Sequence, residues 1–258
     1  MKECVNVNIL ITAGGTSEAI DSVRNLTNHA TGSLGKVIAE TFAEYVDTIF
    51  YVHGPKAVLP SNPAIKFFPI ASVRDLEKTM QDILTTTPIH TVIHSMAVSD
   101  YELDYTTSEI DIAKNLADMI STKSPSTKDE LENLIKIALT SDVLASNTGE
   151  KKIRSTSEQL IIALKKAPKV IHSIKKWQPT TQLIGFKLLV GVSDADLVAA
   201  ATDSIKKNKA DYIVANDLEN ILADKHEALI INHQGIKERC HTKQDIANTL
   251  LTLIKQEG

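Results

Sequence analysis

The sequence has little of what marks several protein classes. Only two cysteines occur among 258 residues, so neither a disulfide framework nor a zinc cluster is expected. Basic residues are not in excess, because 28 Lys and Arg face 32 Asp and Glu, and this balance excludes a globally basic nucleic-acid-binding protein. No apolar run approaches the ~18 residues of a membrane span, and no signal peptide is recognisable. We expect a cytoplasmic protein without nucleic-acid or membrane partners.

What the sequence does contain is an alternation of apolar runs and amphipathic segments. The segments typical of strands are 8–12, 48–52, 65–70, 90–98, 182–189 and 211–215, and those typical of helices are 36–45, 72–84, 168–177, 195–206 and the C-terminal stretch. Ser72 and Ser193 are expected to be helix N-caps. The alternation predicts an α/β fold with a doubly wound, Rossmann-like, mostly parallel sheet. Residues 227–232 and 236–240 predict a small antiparallel hairpin near the C-terminus.

Residues 102–150 differ from the rest of the chain. They are polar and rich in Thr, Ser, Lys and Asp, with short helical patterns at 110–120 and 128–139. Their large apolar residues are too few for a separate core. We therefore predict one α/β domain over 1–258 with a polar insertion or flap at about 102–150, after which the apolar stretch 160–164 resumes the alternation.

The chemistry of such a fold is expected where parallel strands end, because ligands bind at that edge of open sheets. Gly14, Gly15 and Thr16 follow the first strand and offer backbone N–H groups to a phosphate or a carboxylate. The alternative is an ordinary tight turn between a strand and a helix. The pattern matches neither the dinucleotide fingerprint nor the P-loop.

Arg24 and Asn28 are four residues apart and would share a face if this segment were helical. A guanidinium and an amide on one face could hold a phosphate or polarise a carboxyl oxygen. The alternative is a solvated helix face followed by a loop. Gly32 and Ser33 open the next predicted helix, whose N-terminus would be a second site for an anion.

Further charged residues admit two interpretations each. Asp100 could bind a ribose hydroxyl or a metal, or could be a helix N-cap. The basic clusters 151–154 and 206–209 could neutralise a triphosphate, or could be solvated surface. His29, His53, His90 and His94 lack metal-ligand spacing and are interpreted as packing or edge residues, and Cys4 and Cys240 as inert thiols.

Several segments together resemble one family. Residues 11–18 (ITAGGTSE), 20–28 (IDSVRNLTN) and 32–35 (GSLG) resemble the N-terminal signature of phosphopantothenate–cysteine ligases. The segments 96–101 (MAVSDY), 152–154 (KIR), 185–187 (GFK) and 210–217 (ADYIVAND) resemble later motifs of that family, in the same order. The resemblance spans nearly the whole chain and indicates the stand-alone form, without the decarboxylase that is often fused upstream in bacteria.

The resemblance implies a two-step ligation in coenzyme A synthesis. The carboxylate of 4′-phosphopantothenate attacks the α-phosphate of a nucleoside triphosphate, and cysteine then displaces the nucleotide to form an amide. The motif positions imply catalytic roles for Asn28 at the acyl-phosphate centre, for Arg24 and for Lys152, with Gly32, Arg24 and Asn28 binding the substrate. The residues implied in nucleotide binding are Gly14, Gly15, Thr16, Ser33, Met96, Ala97, Asp100, Pro168, Lys169, Val170, Ile171, Phe186, Lys207 and Asn216.

The same resemblance implies Mg²⁺, a homodimer and a nucleotide that is CTP or ATP. Bacterial members use CTP and eukaryotic members ATP. Pro168-Lys169-Val170 and the residues after Phe186 depart from the bacterial pattern, yet CTP is favoured here. Lys207 and Lys209 each miss the family's lysine register by one residue.

Two other functions fit the same fold class. An NAD(P)-dependent oxidoreductase would carry a G-x-G-x-x-G turn, which is missing, and none of the five tyrosines begins a Tyr-x-x-x-Lys pair. A non-catalytic nucleotide-binding or scaffold protein would have no need of Arg24, Asn28, Asp100 and Lys152 together.

Overall fold

An eight-stranded sheet dominates the computed structural model, which describes residues 5–140, 159–222 and 225–257. The strands lie in the order β12-β11-β10-β9-β6-β1-β4-β5. Their bounds are β1 Val5–Ala13, β4 Val46–His53, β5 Ile65–Pro69, β6 Thr91–His94, β9 Gln182–Leu189, β10 Tyr212–Asp217, β11 Ala228–Asn232 and β12 Gly235–Cys240. The six neighbouring strands β10, β9, β6, β1, β4 and β5 are parallel to one another. The strands β11 and β12 form the antiparallel hairpin at one edge. The predicted fold class is confirmed.

Helices cover both faces of the sheet. On one face lie α1 (Ser33–Phe42) and α7 (Lys243–Glu257), whose apolar side chains join those of the strands in one buried cluster. On the other face lie α2 (Val73–Thr86), α5 (Ile171–Trp177) and α6 (Asp194–Asn208). Neighbouring strand residues point to opposite faces. Accordingly Ile184 belongs to the α1–α7 cluster, whereas the next residue, Gly185, lies against Ile171 of α5.

Local sequence signals explain where two of these helices begin. Ser72 and Ser193 each accept a hydrogen bond from a backbone N–H in the first turn, and the carboxylates of Asp75 and Asp196 reach back to complete capping boxes. These hydrogen bonds lower the pKa of both carboxyl groups. Both N-caps were predicted from the sequence and are confirmed.

The contacts divide the chain into two compact units. The first comprises residues 1–17, 27–99 and 168–258 and contains the large sheet; the second comprises residues 18–26 and 100–167. In the second unit, β7 (Tyr101–Ser108) pairs antiparallel with β8 (Leu160–Lys166), and α3 (Glu109–Lys123) and α4 (Lys128–Ala138) follow β7. The predicted polar insertion falls within this unit, and both of its predicted helices are present.

Two expectations about local structure are wrong. Residues 17–27 form a hairpin of two short strands, β2 (Ser17–Ala19) and β3 (Asn25–Thr27), so Arg24 and Asn28 do not share a helix face. The apolar stretch 160–164 does not resume the large sheet, because it pairs with β7 instead. None of the helices in the described ranges is long and apolar enough to cross a membrane.

Candidate active site at the carboxyl edge of the sheet

The order of the parallel strands reverses between β1 and β6, and the chain leaves both strands side by side. Ala97 donates its N–H to the carbonyl of Gly14 (2.9 Å), and Thr16 donates its N–H to the carbonyl of Ala97 (3.2 Å). These bonds extend the parallel pairing past the strands as a bridge between Gly15 and Ala97. Such a switch point is where open α/β sheets bind ligands.

Glycine is required at this crossing for two different reasons. Gly14 has a φ of +82°, in the left-handed region that other residues rarely adopt. Gly54 follows β4 and donates its N–H to the carbonyl of Ala13 (3.0 Å). A Cβ on Gly54 would lie 2.1 Å from the carbonyl oxygen of Gly15, which no rotamer change can relieve because both groups are backbone. The turn after β1 leads into the strand β2 and not into a helix, so the alternative of an ordinary strand–helix turn is wrong.

Asn28 is held directly on this crossing. Its Nδ2 donates a hydrogen bond to the carbonyl of Ala97 (3.1 Å), and its backbone lies against Gly15. An amide nitrogen carries two hydrogens, so the second can be donated to a ligand. Thr27, the preceding residue, donates its hydroxyl to the carbonyl of Thr16 (3.1 Å) and ties the same segment to the turn.

A cavity of about 260 Å³ opens beside the Asn28 side chain. We call it the Asn28 cavity, and it lies entirely within the first unit. Its lining residues are Gly15, Ser17, Thr27, Asn28, His29, Ala30, Thr31, Pro55 and Lys56. Hydroxyls, an amide, an imidazole and an amine are among the lining groups, so the cavity offers hydrogen-bond partners to a ligand.

A buried polar network fixes the exit of β6. Thr12 accepts a hydrogen bond on its hydroxyl oxygen from the N–H of Met96 (3.2 Å), and the same oxygen lies 3.0 Å from Nδ1 of His94. Burial lowers the pKa of His94 to about 4, so the ring is neutral and we assign Nδ1 as the acceptor of the Thr12 hydroxyl proton. Ser95 donates its hydroxyl to the Thr12 carbonyl (2.6 Å).

The structure confirms that His94 packs in the interior, but the sequence did not reveal its hydrogen bond. The available signal for this hydrogen bond was that Thr12 and His94 lie toward the ends of two predicted parallel strands. Thr16 is also completely buried, and its hydroxyl accepts the N–H of Ser99 (3.0 Å).

The other nucleotide-binding candidates of the first unit lie in different positions along the sheet. Gly32 and Ser33 begin α1, whose first turn has no acidic residue; the Ser33 N–H is donated to the hydroxyl of Thr31 (3.4 Å). Met96 is buried and Phe186 is half-buried against the α1–α7 cluster. The segment 168–171 leads into α5, where Val170 is buried and Lys169 is exposed. α5 precedes β9, so its N-terminus lies toward the carboxyl edge, as do the ends of β9 and β10.

Asn216, near the end of β10, is buried and its Nδ2 lies 3.4 Å from Nε2 of His226. Burial and the charge of Lys243 lower the pKa of His226 to about 4. The next residue, Asp217, accepts backbone N–H groups from the turn after β9, which lowers the pKa of its carboxyl group. Asn216 is thus fixed among buried groups.

One predicted residue of the first unit is not brought together with these. Lys207 lies in the last turn of α6, which runs back to the start of β10. It therefore lies at the amino edge of the sheet, away from the glycine turns. Lys152 falls outside the described residues.

Arg24 and Asp100 belong to the second unit. Arg24 lies near the tip of the β2–β3 hairpin and its guanidinium binds the carboxylate of Asp21 (2.5 and 3.0 Å). The carbonyl of Asp100 accepts the N–H of Ala167 (3.0 Å), and β7 begins immediately after it. Asp100 is therefore not the helix N-cap that the sequence left as an alternative.

A metal site made by protein side chains alone is not found in the described parts of the chain. These parts contain no group of three or more His, Cys, Asp or Glu residues that could hold an ion. Mg²⁺ commonly uses only one or two carboxylates together with substrate phosphates.

The fold and the site together define a doubly wound α/β protein with a candidate ligand cavity at its topological switch point. The chain belongs to the family of the DNA/pantothenate metabolism flavoprotein C-terminal domain, which matches residues 4–119 and 104–257.

Solved structures and curated relatives agree with this membership. The crystal structure of the DNA/pantothenate metabolism flavoprotein from Streptococcus pneumoniae is 38% identical, with a TM-score of 0.78 over 98% of this chain and 100% of that one. The bifunctional coenzyme A biosynthesis protein CoaBC of Thermococcus kodakarensis is 26% identical over 94% of this chain and 49% of its own length. This chain therefore spans about half the length of such relatives. A Cab2 H337A complex with phosphopantothenate-cysteine shares the fold, at 16% identity and a TM-score of 0.65 over 97% and 87% of the two chains.

Proposed function

We propose that this protein is a phosphopantothenate–cysteine ligase of coenzyme A biosynthesis. The observation that carries the proposal is the position of Asn28, whose side chain is held on the switch point and lines a cavity with several hydrogen-bonding groups. Family membership and the relatives named for coenzyme A biosynthesis support it. The Cab2 structure, which contains phosphopantothenate-cysteine, has the same fold and supports the choice of substrates.

In the proposed first step, a carboxylate oxygen of 4′-phosphopantothenate attacks the α-phosphorus of a nucleoside triphosphate. An acyl nucleotide forms and pyrophosphate leaves. In the second step the cysteine amine attacks the acyl carbon, the nucleoside monophosphate leaves with the bonding electron pair, and the amine loses a proton. Asn28 would donate its second amide hydrogen to the acyl oxygen as negative charge develops there. Fixing the amide through Ala97 orients this donor before the reaction begins.

The nucleotide is proposed to bind along the carboxyl edge of the sheet. The Ser33 hydroxyl and backbone N–H groups of the first turn of α1, which has no acidic residue, would bind phosphate oxygens. Phe186 and the segment 168–171 are proposed to contact the nucleoside. CTP is the favoured nucleotide and ATP the alternative, and Mg²⁺ would be bound to the triphosphate. Arg24 is further proposed to hold the anionic substrate, and Asp100 to contact the nucleotide. Lys152 is proposed to offset the charge of the triphosphate.

A homodimer is also proposed. The strand β8 exposes three alternate apolar side chains, Leu160, Ile162 and Leu164, each 37–41% exposed. A two-stranded ribbon is only marginally stable in water by itself, and a row of this kind on one face is suited to burial against a second copy. Ile162→Lys should shift the protein toward the monomer in sedimentation experiments, whereas Lys165→Gln on the same strand should not. An unchanged sedimentation coefficient for Ile162→Lys would contradict this interface.

The ligation is tested by mixing the protein with phosphopantothenate, cysteine, Mg²⁺ and either CTP or ATP. Pyrophosphate release reports the first step, and mass spectrometry of phosphopantothenoylcysteine reports the second. We expect both products with CTP. Pyrophosphate without the amide product would contradict the second step, and the absence of both with either nucleotide would refute the proposed function.

A further inference from the structure

Lys56 lies in a loop that backbone hydrogen bonds hold at both ends. The loop begins where Gly54 donates its N–H to the carbonyl of Ala13, and it ends where Val58 donates its N–H to the carbonyl of Thr31 (2.9 Å). Between these points Ala57 donates its N–H to the carbonyl of Gly54 (3.2 Å). Lys56 lies inside this closed turn, so its backbone is positioned by both the β1 exit and the segment before α1.

The same loop is packed against the glycine turns. A Cβ added to Gly14 would lie 2.8 Å from Cβ of Ala57, and one added to Gly32 would lie 3.2 Å from that atom. Both glycines thus allow the loop to approach closely. The close approach brings Lys56 to the rim of the Asn28 cavity, with Pro55 beside it.

The charge of Lys56 is not neutralised within the described part of the chain. No described carboxylate lies within salt-bridge distance of its amine, in contrast to Lys36 and Lys78, which pair with Glu40 and Asp82. Among the described residues no Asp or Glu lines the Asn28 cavity, and the other polar side chains there are hydroxyls, an amide and an imidazole. A cavity that contains one amine and no carboxylate is complementary to an anion.

We propose that Lys56 is a specificity-determining residue that binds an anionic group of the pantothenate substrate in the Asn28 cavity. The inference rests on the proposed function, because that reaction brings a molecule with a carboxylate and a phosphate to this site. The amine would form a charge-assisted hydrogen bond and thereby hold the substrate while Asn28 contacts the acyl group.

The test compares Lys56→Gln and Lys56→Arg with the wild type, and with Lys78→Gln as a lysine control on the exposed surface of α2. Steady-state kinetics give KM for phosphopantothenate, and calorimetry gives its Kd without turnover. We expect Lys56→Gln to raise both constants about tenfold, since a hydrogen bond to a charged group is lost. Lys56→Arg should restore most of the affinity, and Lys78→Gln should behave as the wild type. Added salt should weaken binding to the wild type more than to Lys56→Gln.

Pantothenate, which lacks the phosphate, distinguishes the two anionic groups when it is used as a competing ligand. If Lys56→Gln weakens both ligands equally, the amine binds the carboxylate; if it weakens only phosphopantothenate, the amine binds the phosphate. Unchanged KM and Kd in Lys56→Gln would overturn the inference while wild-type turnover still supported the ligase. Absence of turnover in the wild type would refute the ligase, and the calorimetric Kd would still decide whether Lys56 binds the anion.

Discussion

Replacing Thr12 by Val removes one hydroxyl from the network beneath the switch point and preserves the shape of the side chain. The residue is completely buried, so water cannot replace the lost group. The change leaves the N–H of Met96 and Nδ1 of His94 without their partner. Each buried polar group that loses its hydrogen bond costs about 1–3 kcal/mol, so with two such groups we expect the free energy of unfolding to fall by about 2–6 kcal/mol. A domain near the middle of the usual range of about 5–15 kcal/mol would remain folded.

The effect on activity should exceed what the loss of stability explains. Met96 immediately precedes Ala97, whose carbonyl orients the Asn28 amide. We therefore expect kcat for ligation to fall at least about tenfold under conditions in which the variant is fully folded, since a misplaced oxyanion donor costs up to about 10²–10³. Urea unfolding measures the stability, and pyrophosphate release at saturating substrates measures kcat.

Thr12→Ser is the matched control because it keeps the hydroxyl and loses only a methyl group. It should cost about 1 kcal/mol and retain most of kcat. A Thr12→Val variant within about 0.5 kcal/mol of the wild type, with unchanged kcat, would show that the hydroxyl neither stabilises the crossing nor positions Asn28. Loss of activity in Thr12→Ser equal to that in Thr12→Val would show that packing, not the hydrogen bond, is responsible.

Three further predictions concern the same edge of the sheet. Gly54→Ala should destabilise the protein by about 1–3 kcal/mol in urea unfolding, because its Cβ would meet the carbonyl of Gly15, whereas Gly235→Ala, with no neighbour within 4 Å, should suffer only the strain of its positive φ. The pKa of His94 is about 4 in the fold and about 6.5 when unfolded, so its contribution to stability is full above pH 6.5 and falls toward pH 4; between pH 7.5 and 5 the wild type should lose about 2 kcal/mol more than His94→Gln, which keeps the similar contribution of His226. Asn28→Ala should keep its melting temperature within a few degrees and lower kcat about 10²–10³-fold, and near-normal turnover would remove Asn28 from the mechanism.

The large sheet and its helices could be predicted from the sequence, because the signals that mark each element are local. Apolar runs and capped helices such as those at Ser72 and Ser193 mark each element, and the handedness of the connections leaves few ways to order the strands. The hairpin at 17–27 was missed because strands of three residues are too short to show an alternating pattern. The pairing of β7 with β8 was missed because more than 50 residues separate the strands and their pattern does not specify a partner.

Much of the candidate site could not be predicted from the sequence, because it depends on backbone contacts between distant segments. Asn28 was singled out by its motif, but what holds it is a backbone carbonyl 69 residues away, and any residue at position 97 would supply that carbonyl. Lys56 was not singled out, because a lone lysine after a Gly-Pro turn has no pattern, and its meaning arises only when β4 ends beside β1. Side-chain identity thus marks the groups that act on a ligand, whereas backbone crossings determine which of them meet. Gly54→Ala alters the backbone crossing and removes no polar side chain, whereas Asn28→Ala removes the amide. Both should impair ligation, and comparing them measures the contribution of the crossing separately from that of the side chain.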